Sequence, residues 1–300
     1  GKVIKRVWKY RSQPVDIKLL RAFVTLSQLK RYHSAAEKLC VTQPALTKQI
    51  QTLESLSGIT LFQRGRHGAR LTVAGELLLH RASEVLASYD NFRTDVSSIQ
   101  QGLVGKLTVG FGISSFRVAP EKVAIFRALY PDVQVSLNDM SSAVQFQKLA
   151  EGQLQTGFVR LPAPERLESK ILAEEKLVLA VAHEYDTELS SAAELLGSRK
   201  LLQLSRDRGE GLSEQILRFL SLRQLTPQTV SPADDIQTLL ALVATKNGVA
   251  LLPASVIHIL PCGVRLIPLE GEHTTWQTGI AWNPQINDPV RDNFINIVIP

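Results

Sequence analysis

The stretch Ser34-Ala35-Ala36-Glu37-Lys38-Leu39-Cys40-Val41-Thr42-Gln43-Pro44-Ala45-Leu46-Thr47-Lys48-Gln49-Ile50-Gln51-Thr52-Leu53-Glu54 carries the fold signal of the N-terminal third of the chain. Ser34 is placed to cap a short helix over 34–39. Val41-Thr42-Gln43-Pro44 breaks it and starts another, with Thr42 at the N-cap and Pro44 in the first turn, where a missing N–H is tolerated. In that second helix Leu46, Ile50 and Leu53 share one face, and Gly58 ends the run. Ala35 and Ala36 are small enough for the two helices to cross closely. Gln43, Ala45, Thr47, Lys48 and Gln51 are then left exposed near the start of the second helix. A recognition helix presents its first turns to base edges in this way. Gln bonds adenine bidentately, Thr offers a hydroxyl or a methyl, and Lys reaches guanine or a phosphate. The backbone amides around Ser34 and Thr42 suit phosphates, because helix N-termini attract anions. An ordinary helical hairpin with a solvated polar face would show the same generic pattern.

Working outward, residues 16–26 begin with Asp16 as a cap and carry Leu19, Leu20, Phe23 and Leu26 at helical spacing. After Gly58, residues 61–64 and 70–72 read as two short strands around a glycine-containing basic tip, a wing. Arg64, Arg66 and Arg70 would flank the DNA backbone or probe a minor groove; a solvated surface loop is the plainer alternative. From Thr72 to about Gln101 a helix runs without an interior proline. Leu78, Ala82, Val85, Tyr89, Phe92, Val96 and Ile99 repeat along it at alternating spacings of 4 and 3, a heptad seam expected to pair two chains. A single amphipathic helix packed on its own core is the competing reading. Two winged domains so joined would read two half-sites.

Charge follows this division. Residues 1–105 hold 16 Lys and Arg against 7 Asp and Glu, whereas residues 106–300 hold 18 against 21. A polyanionic partner, double-stranded DNA, is therefore expected for the first third only. Residues 1–15 are a basic leader or a remnant of cloning, and residues 16–71 stay basic without them, with 9 positive against 3 negative side chains. No apolar run approaches a membrane span or a signal peptide, so a soluble cytoplasmic protein with no membrane partner is expected. Two cysteines, Cys40 and Cys262, are too few for a disulfide framework or a metal site, and Cys40 reads as core packing.

The ordered set Ala35-Ala36-Glu37-Lys38-Leu39, Thr42 through Ile50, Leu53-Glu54, Gly58, Leu61-Phe62-Gln63-Arg64 and Leu71-Thr72-Val73-Ala74-Gly75 resembles the LysR-type transcriptional regulators. Later segments fit as well, among them Lys106-Leu107-Thr108-Val109-Gly110-Phe111-Gly112, the stretch from Phe126 to Val133, and Gly248-Val249-Ala250-Leu251-Leu252-Pro253. The resemblance implies that Gln43, Pro44, Thr47 and Lys48 open the recognition helix. Thr47 and Lys48 stand where Ser and Arg are commoner; the donors remain, but Lys gives up bidentate geometry. It also implies a tetramer, a small-molecule effector, and RNA polymerase as a further partner. The segment Phe158-Val159-Arg160-Leu161 resembles the muconate-responsive subgroup, a hint of aromatic-catabolism control.

Beyond a hinge at 102–105, strands are expected at 107–111, 133–137, 156–159, 177–182, 200–204 and 249–252, and helices at 118–130, 144–151, 212–222 and 236–245. Alternation of this kind predicts parallel sheets covered by helices. The fold class expected is an α/β protein with an N-terminal all-α winged helix-turn-helix (16–72), a linker helix (73–101) and a periplasmic-binding-protein-like effector domain (106–300). The resemblance divides that domain into subdomain I, about 106–176 and 272–300, and subdomain II, about 177–271. Ligands in open α/β sheets sit beyond the carboxyl ends of strands. That rule selects loops holding Ser114, Ser115, Ser141, Ser142, Arg160, Ser205, Arg206 and Asp234, suited to a small carboxylate. Each serine taken alone reads first as a plain N-cap, and Arg160 reads equally as a member of a surface ion pair. No metal or cofactor is expected beside the effector.

Two other functions compete. Gly112-Ile113-Ser114-Ser115-Phe116 partly mimics a nucleophile elbow, with His183 or His258 as a base, but its last glycine is missing and no acid–histidine arrangement is evident, so no catalytic residue is expected. A solute-binding protein would share the C-terminal fold but lacks a use for the basic N-terminal module.

Overall fold

Three helices come first among the described residues of the computed structural model, which are 14–63, 65, 66, 68–183 and 191–300. Most of the basic leader, Arg64 and His67 thus lie outside the described residues. In α1 (Ile17–Leu29) the Asp16 carboxylate accepts from the Lys18 N–H at 2.9 Å. In α3 (Gln43–Ser57) Thr42 Oγ1 accepts from the Ala45 N–H at 3.2 Å, and Gly58 closes the helix in the left-handed region at φ +69°. The helix between them, α2 (Tyr32–Lys38), begins two residues before the expected start. Arg31 holds its N-cap position without a side-chain bond, so Ser34 is not the cap but a half-buried member of the first turn. Cys40 is exposed with φ +56° in the turn after α2, not packed in the core; the chain must reverse there, and the core-facing alanines lie one turn earlier.

Leu46, Ile50 and Leu53 of α3 are buried with Phe23 and Leu26 of α1 and with Ala35 and Ala36. Each large side chain so placed contributes roughly 1.5–3 kcal/mol. Phe23 meets Phe62 edge-on at 5.7 Å. Phe62 belongs to β1 (Phe62–Gln63), which pairs antiparallel with β2 (Arg70–Leu71) as the wing. The Ala69 N–H donates to the Lys30 carbonyl at 2.8 Å, so the wing is tied to the end of α1. Gly68, at φ +82°, makes that approach possible: a Cβ there would stand 2.7 Å from the Lys30 oxygen.

The 28-residue helix α4 (Val73–Gln100) is about 42 Å long. Its first half follows the ordinary helical period into the winged core: Ala82 and Leu86 are buried there, with Leu78 and Leu79 packed against them. The heptad seam is therefore divided. Leu78 and Ala82 serve the core of their own chain, whereas Val85, Tyr89, Phe92, Val96 and Ile99 are exposed, Phe92 at 65%.

The unit from Ser98 onward is built on an eight-stranded mixed sheet. Its strands are β3 (Gly105–Phe111), β4 (Val133–Asp139), β5 (Thr156–Arg160), β6 (Glu168–Ala182), β7 (Leu201–Leu202), β8 (Val249–Pro253), β9 (Val264–Pro268) and β10 (Thr275–Trp282), in the order β4-β3-β5-β10-β6-β8-β7 with β9 also on β6. The helices are α5 (Val118–Leu129), α6 (Ser142–Ala150), α7 (Ala192–Ser198), α8 (Glu210–Leu222), α9 (Ile236–Ala244) and α10 (Pro289–Val298). The pairings β3–β4, β3–β5 and β7–β8 are parallel, as helical alternation predicts. The others are antiparallel: β6 is a 15-residue strand whose partners β8, β9 and β10 all run against it, and β10 also runs against β5. Antiparallel neighbours need no crossover helix, which is why helix–strand alternation gave no sign of them. Leu107, Phe126, Ile280 and Phe294 form one core, with Phe126 and Phe294 edge-on at 5.6 Å. Leu177, Leu251 and Phe219 belong to another and Leu240, Val243 and Leu252 to a third, both built on the β6–β8 end of the sheet. Among the described residues no helix is long and apolar enough to cross a membrane.

Candidate functional site

Two surfaces collect the candidate side chains, one in each unit. On the first, α3 buries one face and turns the other outward. Thr42, Gln43, Pro44, Lys48 and Gln51 are exposed, and Ser34, Ala45 and Thr47 are half-buried beside them. Gln43 Nε2 lies 3.1 Å from His33 Nδ1, so a neighbour from α2 steadies the amide that heads the helix. His33 has no sequence signal as a site residue, since only the crossing of α2 and α3 brings it there. The Leu61 N–H donates to the Glu54 carboxylate at 3.0 Å, fixing the end of α3 to the wing. Burial, with the Glu54 charge adding to it, pushes the Tyr32 hydroxyl up from its usual pKa. Arg66 and Arg70 are exposed on the wing.

The second surface is a cleft of about 620 Å³ at the carboxyl ends of β3, β4 and β5. Ser114, Ser115, Ser141, Ser142 and Arg160 line it. Ser205, Arg206 and Asp234 do not; their neighbours Leu204, Arg208 and Asp235 do. The displacement has a local cause. Asp235 turns inward to cap α9, accepting from the Thr238 N–H at 2.7 Å. Arg206 faces out toward Glu210 at 3.9 Å, while Arg208 Nε donates to the Asp234 carbonyl at 3.1 Å. The Asp235 carboxyl is held below its usual pKa, first by the Thr238 backbone N–H and then by that residue's hydroxyl, with Arg208 adding a smaller push.

Several of the serines hold structure. Ser141 caps α6 by accepting from the Val144 N–H at 3.3 Å, and Ser115 bonds both backbone groups of Gly112. Ser142 Oγ accepts from the Arg160 N–H at 2.9 Å and so sets the end of β5. Beneath them the buried Gln145 amide donates to the carbonyls of Met140 at 3.1 Å and Phe158 at 3.0 Å, locking the loop after β4 to β5. No residue lining the cleft is a histidine, among those described.

Arg160 is the distinctive charge. Its guanidinium donates to Gln215 Oε1, and Gln215 Nε2 in turn donates to the His273 carbonyl. The guanidinium carbon lies 4.4 Å from the centre of the Trp276 ring, and Gly211 leaves room for the arginine stem. Burial, then the neighbouring charge of Arg218, lowers its pKa from the ordinary arginine range to about 10, against an upward pull from Glu214. A guanidinium so desolvated, with no carboxylate within 4 Å among the described residues, is matched to an incoming anion. Trp276 and Gln215 come from β10 and α8, more than fifty residues away from Arg160, and no local pattern announces them.

Comparison with known proteins matches both units. The model of the LysR substrate binding domain matches residues 100–299, and that of the bacterial regulatory helix-turn-helix protein, lysR family, matches residues 17–76. The chain belongs to the LysR family of transcriptional regulators. It is similar to the uncharacterized HTH-type transcriptional regulator YnfL of Escherichia coli (strain K12), with 29% identity over 93% of this chain and 96% of that one. It is also similar to the HTH-type transcriptional regulator BenM of Acinetobacter baylyi, with 27% identity over 85% and 86%. Among solved structures, CbnR, a LysR family transcriptional regulator, superimposes with a TM-score of 0.76 at 25% identity, covering 94% of this chain and 99% of CbnR. CbnR complexed with its target DNA has the same fold at a TM-score of 0.73 and 24% identity. This LysR-family chain is therefore an effector-responsive, DNA-binding transcriptional regulator.

Proposed function

We propose that this regulator senses a small carboxylate in the cleft around Arg160 and transmits its presence to DNA held by α3 and the wing. The observation that carries the reading is Arg160: a desolvated guanidinium, stacked on Trp276 and bonded only to a neutral amide, lining a cleft otherwise rich in apolar side chains. Gln43, Thr47 and Lys48 contact base edges, Ser34, Thr42, Pro44, Ala45 and Gln51 fit the groove beside them, and Arg66 and Arg70 meet the DNA backbone. Val85, Tyr89, Phe92, Val96 and Ile99 pair α4 with a second copy, and a tetramer forms through the effector domains. Subdomains at about 106–176 with 272–300 and at 177–271 close differently on the ligand, which alters the spacing of the winged domains and the bend in the promoter. Only a ligand that binds the two arrangements with different affinity can do this. The protein works in the cytoplasm, with RNA polymerase as a further partner.

DNA selected from the genome by the purified chain supplies the operator. Its affinity and bend are then measured with and without benzoate or succinate. The expected result is a change in one or both quantities that Arg160→Met removes. Full effector response in Arg160→Met overturns the placement of the carboxylate.

A further inference from the structure

The charges lining the cleft are not evenly balanced. Glu210 is paired with Arg206, and Asp235 is held chiefly by the N–H and hydroxyl of Thr238, with a smaller contribution from Arg208, whose guanidinium donates to the Asp234 carbonyl. Two charges of opposite sign remain. Among the described residues Arg160 has the neutral Gln215 as its side-chain hydrogen-bond partner and the Trp276 ring beside it, and the Glu214 and Arg218 charges outside the cleft act on it in opposite directions. Asp139, the last residue of β4, lines the cleft and is exposed, and its carboxylate makes no hydrogen bond or ion pair among the described residues.

The sheet order sets the arrangement. β4 and β5 flank β3 on either side, with Asp139 opposite Phe111 and Gly110 opposite Gly157. Strands lie about 4.8 Å apart, so the two charges rise from strands roughly 10 Å apart with β3 between them. The floor across that gap is apolar, made by Phe111, Phe158 and, beside the guanidinium, Trp276. A simple dianion would place its second charge against an unpaired carboxylate. A neutral apolar ligand would leave both charges partly desolvated and unpaired, which is costly.

We infer that the effector is a zwitterion, its carboxylate on Arg160, its ammonium on Asp139 and its apolar body over Phe111 and Phe158. This rests on the carboxylate reading above and adds the cationic end.

The test is calorimetric titration of the full chain with three zwitterions that space their charges differently: L-phenylalanine, 5-aminopentanoate and 4-(aminomethyl)benzoate. Each is compared with its deaminated acid: 3-phenylpropanoate, pentanoate and 4-methylbenzoate. At least one zwitterion is expected to bind about tenfold more tightly than its deaminated acid. Asp139→Asn is expected to erase that advantage while leaving the plain acid bound as before or better; Asp139→Ser repeats the measurement with a smaller side chain, and an unchanged thermal midpoint excludes misfolding. The inference is overturned if every deaminated acid binds as tightly as its zwitterion, or if the preference survives both Asp139 variants. Plain acids bound without preference overturn the zwitterion and leave the carboxylate reading standing. No binding by either class overturns both.

Discussion

The two units solve the same problem, a precisely placed set of polar side chains, over very different sequence distances. In the DNA-reading unit, Thr42, Gln43, Thr47 and Lys48 lie within seven positions, and caps at Thr42 and Gly58 fix the helix that carries them. In the effector unit the cleft is assembled from Ile113, Ser141, Arg160, Arg208 and Trp276, which meet only because the sheet brings their strands together. A surface made by one helix is secured by local rules and tolerates change elsewhere. A cleft made by five segments depends on the whole sheet, and its key cation depends on partners, Gln215 and Trp276, that no neighbouring residue specifies.

The sharpest way to break this comparison is through the cores. Phe23→Ala and Phe294→Ala each remove a fully buried ring and are expected to cost about 3–5 kcal/mol. Scanning calorimetry should show Phe23→Ala lowering the melting of the unit up to Ser97 and Phe294→Ala that of the unit from Ser98. Equal loss in both transitions from either variant would show that the units are not energetically separate.

The next effect concerns the cleft alone. Arg160→Met is expected to weaken binding of a carboxylate effector by about 2 kcal/mol, roughly thirtyfold, while DNA affinity without effector stays unchanged. The same site predicts a pH limit. With its pKa lowered to about 10, Arg160 loses its proton in the folded state before the unfolded chain does. Carboxylate affinity should therefore fall as pH rises through about 10, rather than holding beyond 12. Across that window the unfolded state binds more protons, so the burden of the buried charge on stability is relieved as pH rises. Titrations at pH 8, 9.5 and 10.5 check the affinity, and a flat profile would show that Arg160 keeps its proton throughout this range.

On the DNA side, Gln43→Ala is expected to lose about 1–3 kcal/mol of discrimination at one base position, and Lys48→Ala to weaken all sequences alike and flatten the salt slope by about one unit. Competition binding at several salt concentrations separates the two. Smallest is Thr42→Ala, which removes the α3 cap and should lower the stability of its unit by about 1 kcal/mol, read from denaturant unfolding. A comparable loss in effector binding would contradict the local character assigned to this unit.

What the sequence determined is what short-range physics controls. The caps at Asp16, Thr42 and Gly58, the core face Leu46, Ile50 and Leu53, the wing pairing and the alternation from β3 to β5 are all set by residues within a few positions of one another. Ser34 and Cys40 were misjudged even at this range, because where α2 begins and where the chain reverses depend on its packing against α3. Only the tertiary structure decided that Leu78 and Ala82 belong to the winged core while the rest of the seam stays exposed, since a heptad and an ordinary amphipathic face share their first turns. It alone made β6 a long shared strand, exchanged Arg206 and Asp234 for Arg208 and Asp235, and set Arg160 between Trp276 and Gln215 across from Asp139. The reason is physical: contacts between segments far apart in sequence are chosen by how whole faces fit together, and no local pattern encodes that fit.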